Sequence, residues 1–172
     1  MRVIYLVTTG GTIEKAYSEQ TGSVADPGNK VGRYLQRLRL PDSEVNVVPL
    51  LNKDSLELTD ADRELILATV RGLLHENAPI IITHDADTIV PTGRLLKRAL
   101  PEIDVPVVLT GAMAPLGFEA SDGLQNLTES LFAVRLLPPG IYVVMHNQVS
   151  AVDAVSKDHK LSRFISADRR PN

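Results

Sequence analysis

Apolar residues in this chain gather in five short runs, at residues 3–7, 45–51, 80–83, 105–109 and 141–145, rich in Val and Ile and without polar alternation. A strand exposed on one face alternates, so continuous apolarity predicts parallel strands covered on both faces. The segments between the runs carry helical spacing instead. The clearest is 59–75, where Leu65, Ile66, Thr69, Val70, Leu73 and Leu74 fall on one face. Thr59 with Asp62 resembles an N-cap there, and Asn77-Ala78-Pro79 gives a stop. Residues 94–100 end at Pro101, residues 123–137 set Leu124, Leu127, Leu131 and Val134 in one stripe before Pro138-Pro139, and 29–40 is a weaker helix.

Strand and helix alternate, which predicts a single-domain α/β fold on an open, doubly wound, mostly parallel sheet of the flavodoxin-like kind. In such sheets ligands sit beyond the carboxyl ends of the strands, near the point where strand order reverses. The five runs lead in turn into Thr8-Thr9-Gly10-Gly11-Thr12, Asn52-Lys53-Asp54-Ser55, Thr83-His84-Asp85-Ala86-Asp87-Thr88, Thr110-Gly111-Ala112-Met113 and His146-Asn147-Gln148. Small and polar residues thus converge on one edge. Residues 14–30 are too polar for core and long for a βα loop, and read as a mobile lid. Residues 166–172 read as a frayed tail or the stump of a domain connection.

Composition narrows the chemistry. The 172 residues suit one domain, and the 44% hydrophobic and 23% charged content is that of a soluble globular chain able to bury a core. A net charge of −3 with no Lys/Arg cluster argues against a nucleic-acid partner. The absence of cysteine excludes disulfides, thiolate metal sites and a cysteine nucleophile. The first apolar run stops at Thr8 without a signal-peptide pattern, and no run approaches the roughly 20 apolar residues of a membrane span, so the cytoplasm is the default expectation.

Two strand ends stand out. In Thr8-Thr9-Gly10-Gly11-Thr12-Ile13, two glycines permit a sharp turn or a close approach to a ligand, and a hydroxyl is presented next. A tight βα turn with satisfied hydroxyls is the alternative. The segment lacks the Lys-Ser/Thr ending of a phosphate-binding loop and the spacing of a dinucleotide fingerprint. Thr83-His84-Asp85-Ala86-Asp87-Thr88 packs two carboxylates, an imidazole and two hydroxyls into six residues, more polarity than a turn needs. His84 with Asp85 and Asp87 lacks further dedicated metal ligands, and His84 is weighted as structural.

These segments, with Ile82-Thr83-His84 and Asp87-Thr88, Val108 to Met113, Ser121-Asp122-Gly123 with Asn126, and Val143-Val144-Met145 leading to Lys157, resemble the bacterial asparaginase/glutaminase family in the family's order. The resemblance is to the N-terminal domain alone, with the C-terminal domain missing as in short-chain members. It implies a threonine-dependent amidohydrolase in which Thr12 attacks the side-chain amide of L-asparagine, with weaker turnover of L-glutamine, and an acyl-threonine ester is then hydrolysed. A Thr hydroxyl needs a base or proton relay. Asp87 and Lys157 match two members of the family's relay, a plain salt bridge being the alternative for Lys157. The resemblance also implies Ser55 for the substrate α-carboxylate, Asp87 for its α-ammonium and Glu57 nearby. Backbone groups at Gly11, Thr12, Ala86 and Ala112 would supply the oxyanion hole and leaving-group contacts. Ser55 reads otherwise as a loop hydroxyl. Tyr17 is the lid residue best able to reach Thr12, or else a surface aromatic. No cofactor or metal is implied, and a homo-oligomer, dimer or tetramer, is expected.

The second motif departs from the family's Thr-His-Gly-Thr-Asp-Thr, having Asp85 for the Gly and Ala86 for the second catalytic Thr. Ala cannot relay a proton. The chain is then an engineered variant, a natural member with a different relay, or a weakened amino-acid-binding relative that keeps the pocket.

Overall fold

Every one of the five apolar runs becomes a strand of the same sheet. The computed structural model describes residues 1–20, 22–25, 30–54, 57–158 and 163–166. In chain order its elements are β1 (Arg2–Thr8), β2 (Ala16–Ser18), β3 (Ser23–Ala25), α1 (Lys30–Leu35), β4 (Ser43–Pro49), α2 (Asp60–Leu73), β5 (Ile80–Thr83) and α3 (Ile89–Ala99). They continue as β6 (Pro106–Thr110), α4 (Gly123–Ala133), β7 (Gly140–Met145), β8 (Gln148–Ala151), β9 (Val155–Asp158) and β10 (Arg163–Ser166).

Among the described residues the main sheet has six strands in the order β4-β1-β5-β6-β7-β8. The first five are parallel, in register from Leu6↔Val47 and Leu6↔Ile81 to Val108↔Tyr142, and β8 returns antiparallel to β7. That is the flavodoxin-like order for the parallel strands. The chain leaves β1 for β4 on one side and then crosses to β5 on the other, so the order reverses at β1. A ligand crevice is therefore expected beyond Thr8 and Thr83.

Both faces of the central strands are covered, whereas the run at 45–51 departs from that expectation: β4 lies at the sheet edge and none of its residues is fully buried. On one face α2 and α3 bring Ile66, Val70, Ile89 and Leu96 against Val7, Ile82, Leu109 and Val143. On the other, α1 and α4 bring Val31, Leu35, Leu127 and Leu131 against Leu6, Ile81, Val108 and Val144. At about 25 cal/mol per Å² these two layers supply most of the folding drive. No helix among the described residues is long and apolar enough to cross a membrane.

Helix details differ from the sequence expectation where tertiary contacts rule. In α2, Leu65 is exposed and Leu67 buried. In α4, Leu124 is exposed, while the buried positions include Asn126 and Ser130, whose side chains are hydrogen-bonded to Gly111 O and Asn126 O. Helix α3 begins at Ile89, ahead of residue 94, because Pro91 lies in the first turn, where no N–H is needed. Helix α1 is confined to Lys30–Leu35. The tail expectation is corrected at its start: Ser166 pairs with Val155, and Phe164 is buried in the same apolar layer as Val152 and Val155.

Candidate active site

The glycines of the first strand-end loop interlock it with its neighbours. A Cβ on Gly10 would lie 2.4 Å from Lys53 N, and one on Gly11 would lie 2.8 Å from Asp85 N and 2.9 Å from Asp85 Cα. Both have positive φ, 89° and 84°, which favours glycine. A Cβ on Gly111 would lie 2.2 Å from His84 O. Backbone bonds complete the seam, from Thr9 N to Thr83 O at 3.2 Å, Lys53 N to Thr9 O at 3.1 Å and His84 N to Thr110 O at 2.8 Å. The ends of β1, β4, β5 and β6 thus form one rim at the reversal of strand order.

Charge locks the rim further. Thr59 and Asp62 form the full capping box of α2, Asp62 N–H to Thr59 Oγ1 at 3.2 Å and Thr59 N–H to Asp62 Oδ2 at 2.8 Å. The same carboxylate accepts from Lys53 Nζ at 2.9 Å. Hydrogen bonding to Lys53, then to the Thr59 amide and hydroxyl, lowers the Asp62 carboxyl from 3.8 to about 2. Lys15 pairs with Asp54 at 2.9 Å across the same edge.

Thr12 opens a single 3-10 turn, Thr12–Glu14, and is partly buried. Its hydroxyl donates to Asp85 Oδ2 at 3.5 Å. Asp85 is 6% exposed, and its other oxygen accepts the Asp87 N–H at 3.0 Å. Asp87, more exposed, takes the Lys157 ammonium. That ion pair carries β9 to the rim. Ala86 and Ala112 are buried. Among the described residues the Thr12 and Ala86 amide N–H groups donate no hydrogen bond. Glu57 is exposed, with its amide bonded to Asp54 O at 3.0 Å. Ser55 lies outside the described residues. Tyr17, on β2, is 59% exposed.

His84 is structural. It is fully buried, Nδ1–H donates to Asp85 O and Nε2 accepts from the Thr92 hydroxyl, both at 2.9 Å, so a neutral tautomer satisfies both ring nitrogens. Burial pushes its pKa down, outweighing the Asp85 carbonyl and carboxylate, which raise it. Asp122 has a comparable scaffolding place. Burial opposes its ionisation, but His146 and the Ala114 and Met113 amides donate to it and hold its carboxyl below the usual range.

The segment 14–30 is not polar surface throughout. Its described part contains the β2–β3 hairpin, and Glu14 at one end is 1% exposed. That carboxylate accepts the Lys30 N–H at 2.6 Å and the Val31 N–H at 3.2 Å, capping α1. Polarity at Glu14 serves a helix terminus, which composition could not reveal. Sequence alone also gives Asp85 no role. The only signal for it is the departure from glycine at that position.

Comparison with known proteins agrees with this geometry. A family model described as Asparaginase, N-terminal matches residues 3–168. The L-asparaginase of Thermococcus kodakarensis is 31% identical over 158 residues, 92% of this chain and 48% of that protein. A glutamyl-tRNA(Gln) amidotransferase subunit of Methanococcus vannielii is 27% identical over 152 residues, 87% of this chain and 35% of that protein. The solved structure of the thermostable L-asparaginase from Thermococcus kodakarensis superposes with a TM-score of 0.83 at 30% identity, covering 95% of this chain and 51% of that one. This chain spans about half the length of the L-asparaginases it matches. The match runs through every strand that builds the Thr12 rim, and the chain belongs to the asparaginase family, corresponding to its N-terminal domain.

Proposed function

We propose that this chain hydrolyses the side-chain amide of L-asparagine, and more weakly that of L-glutamine, through Thr12. The observation that carries the reading is the position of the Thr12 hydroxyl, partly buried at the reversal of strand order, with the Asp85 carboxylate of the Thr83–Thr88 loop beside it. Thr12 Oγ attacks the amide carbon, and the Thr12 and Ala86 N–H groups, which donate to no described residue, are available for the developing oxyanion. The Asp87–Lys157 pair supplies a carboxylate for the substrate α-ammonium and a cation for the proton relay. Ser55 is assigned to the α-carboxylate, Glu57 and the Gly11 and Ala112 backbone to neighbouring contacts, and Tyr17 to a lid that closes over the site. One methylene is hard to exclude by binding, hence the glutamine turnover. No cofactor enters the reaction. The reading extends to a cytoplasmic homo-oligomer; the exposed apolar Phe132, Leu136 and Val149 favour an oligomer.

Ammonia release from L-asparagine tests the reading. The parent chain should release it, and Thr12→Ala should lose it while unfolding at nearly the same temperature. Equal release by both would remove Thr12 as nucleophile. Ala86 favours a second reading, an amino-acid-binding relative without turnover. Saturable L-aspartate binding with no ammonia release from the parent would select it.

A further inference from the structure

The Thr83–Thr88 loop holds two carboxylates in different circumstances. Asp87 is neutralised by Lys157, whereas Asp85 is almost fully buried and is paired with no Lys or Arg among the described residues. Burying a carboxylate without a counter-ion is costly, and the turn it forms with the Asp87 amide uses only one of its oxygens. Its two oxygens are divided. Oδ1 holds the Asp87 amide at 3.0 Å, and Oδ2 faces the Thr12 hydroxyl at 3.5 Å. The carboxylate cannot easily turn away, because Gly11 packs on the Asp85 backbone and Thr88 N–H binds Asp85 O at 3.3 Å.

We propose that Asp85 is the general base for Thr12, replacing the hydroxyl relay that Ala86 cannot provide. The inference rests on Thr12 being the nucleophile. As the Thr12 Oγ–C bond forms, the hydroxyl proton passes to Asp85 Oδ2 and the carbonyl π pair moves onto oxygen. When that pair re-forms the carbonyl, the C–N bond breaks and the proton passes from Asp85 to the departing nitrogen, which leaves as ammonia. Water then adds to the ester carbon and gives a proton to Asp85. Collapse of this second intermediate expels Thr12 Oγ, which takes the proton back, so amide and water become acid and ammonia with Asp85 unchanged. The 3.5 Å separation suits a ligand-free site, where catalytic hydrogen bonds are often long.

Asp85→Asn is the discriminating variant. Its Oδ1 still accepts the Asp87 N–H, but its NH2 can only donate toward Thr12 Oγ. The probe is p-nitrophenyl acetate, an activated ester that reports the nucleophilicity of Thr12 whatever amide the pocket prefers. Nitrophenolate release gives the rate, and peptide mapping by mass spectrometry locates the acetyl group. The parent should be acetylated on Thr12, with an acid limb in its pH–rate profile. Asp85→Asn should be slowed about 100-fold or more and lose that limb. Thr12 labelling within a few fold of the parent, a parent profile with no acid limb, or a parent label absent from Thr12 would overturn the proposal. A parent profile with no acid limb overturns the proposal even if Asp85→Asn does not fold. Ammonia release measured on the same preparations separates the two claims. Asp85-dependent labelling without release from asparagine supports the base and defeats the asparagine reading. Release with Asp85-independent labelling does the reverse.

Discussion

Gly11→Ala probes the interlock on which the candidate site depends. Gly11 has φ 84° with ψ −174°, a region essentially confined to glycine, where an L-residue costs roughly 1–3 kcal/mol. The added methyl would also stand 2.8 Å from Asp85 N and 2.9 Å from Asp85 Cα and Cβ, well inside van der Waals contact. That backbone cannot yield freely, since His84 N–H is tied to Thr110 O at 2.8 Å and Thr88 N–H to Asp85 O at 3.3 Å. Overpacking of this kind adds about 1–3 kcal/mol, giving a total of roughly 2–6 kcal/mol. In a domain of this size each kcal/mol moves the midpoint about 2–4 °C, so a fall of roughly 5–25 °C is expected. Gly22→Ala is the control. Gly22 also has positive φ, 64°, but nothing lies within 4 Å of its added methyl, so only the conformational cost of about 1–2 kcal/mol applies. Urea unfolding of the two variants should therefore show the larger loss at Gly11. Equal destabilisation would refute the close approach of Asp85 to Gly11, and with it the basis for placing Asp85 against Thr12.

Lys157→Met should lower turnover about 100-fold and alter its pH profile with a midpoint within a few degrees of the parent; the opposite pattern in steady-state kinetics and calorimetry would make the Asp87 pair a plain salt bridge. Glu14→Ala strips two buried α1 amides of their acceptor and should cost about 2–5 kcal/mol in urea unfolding, with Glu14→Gln recovering part of it. The folded Asp62 carboxyl titrates at about 2 against 3.8 ordinarily, so the unfolded chain takes the proton first on acidification. Its stabilisation is complete above 3.8 and lost as pH falls toward 2, and the melting difference between parent and Asp62→Asn should close over that interval.

Periodicity in the sequence determined the layers. Five unalternating apolar runs require strands covered on both faces, and the helical stretches between them supply the cover, so the parallel doubly wound sheet and the rim at its strand ends were legible without coordinates. The capping box at Thr59 and Asp62 was legible too, because its two partners lie within one turn. Pairings across many residues were not. Nothing local in Lys157 reveals that a β9–β10 hairpin, seated by Phe164, sets it against Asp87, or that Glu14 caps a helix beginning at Lys30. The exchange of Leu65 for Leu67 as a buried side chain follows from how α2 is rotated on the sheet, which its own spacing leaves free within a residue. Asp85 shows the distinction most sharply. The sequence presents it as a carboxylate in place of a glycine, and only the packing of Gly11 on its backbone turns that carboxylate toward Thr12, since the contact joins two loops brought together by the sheet.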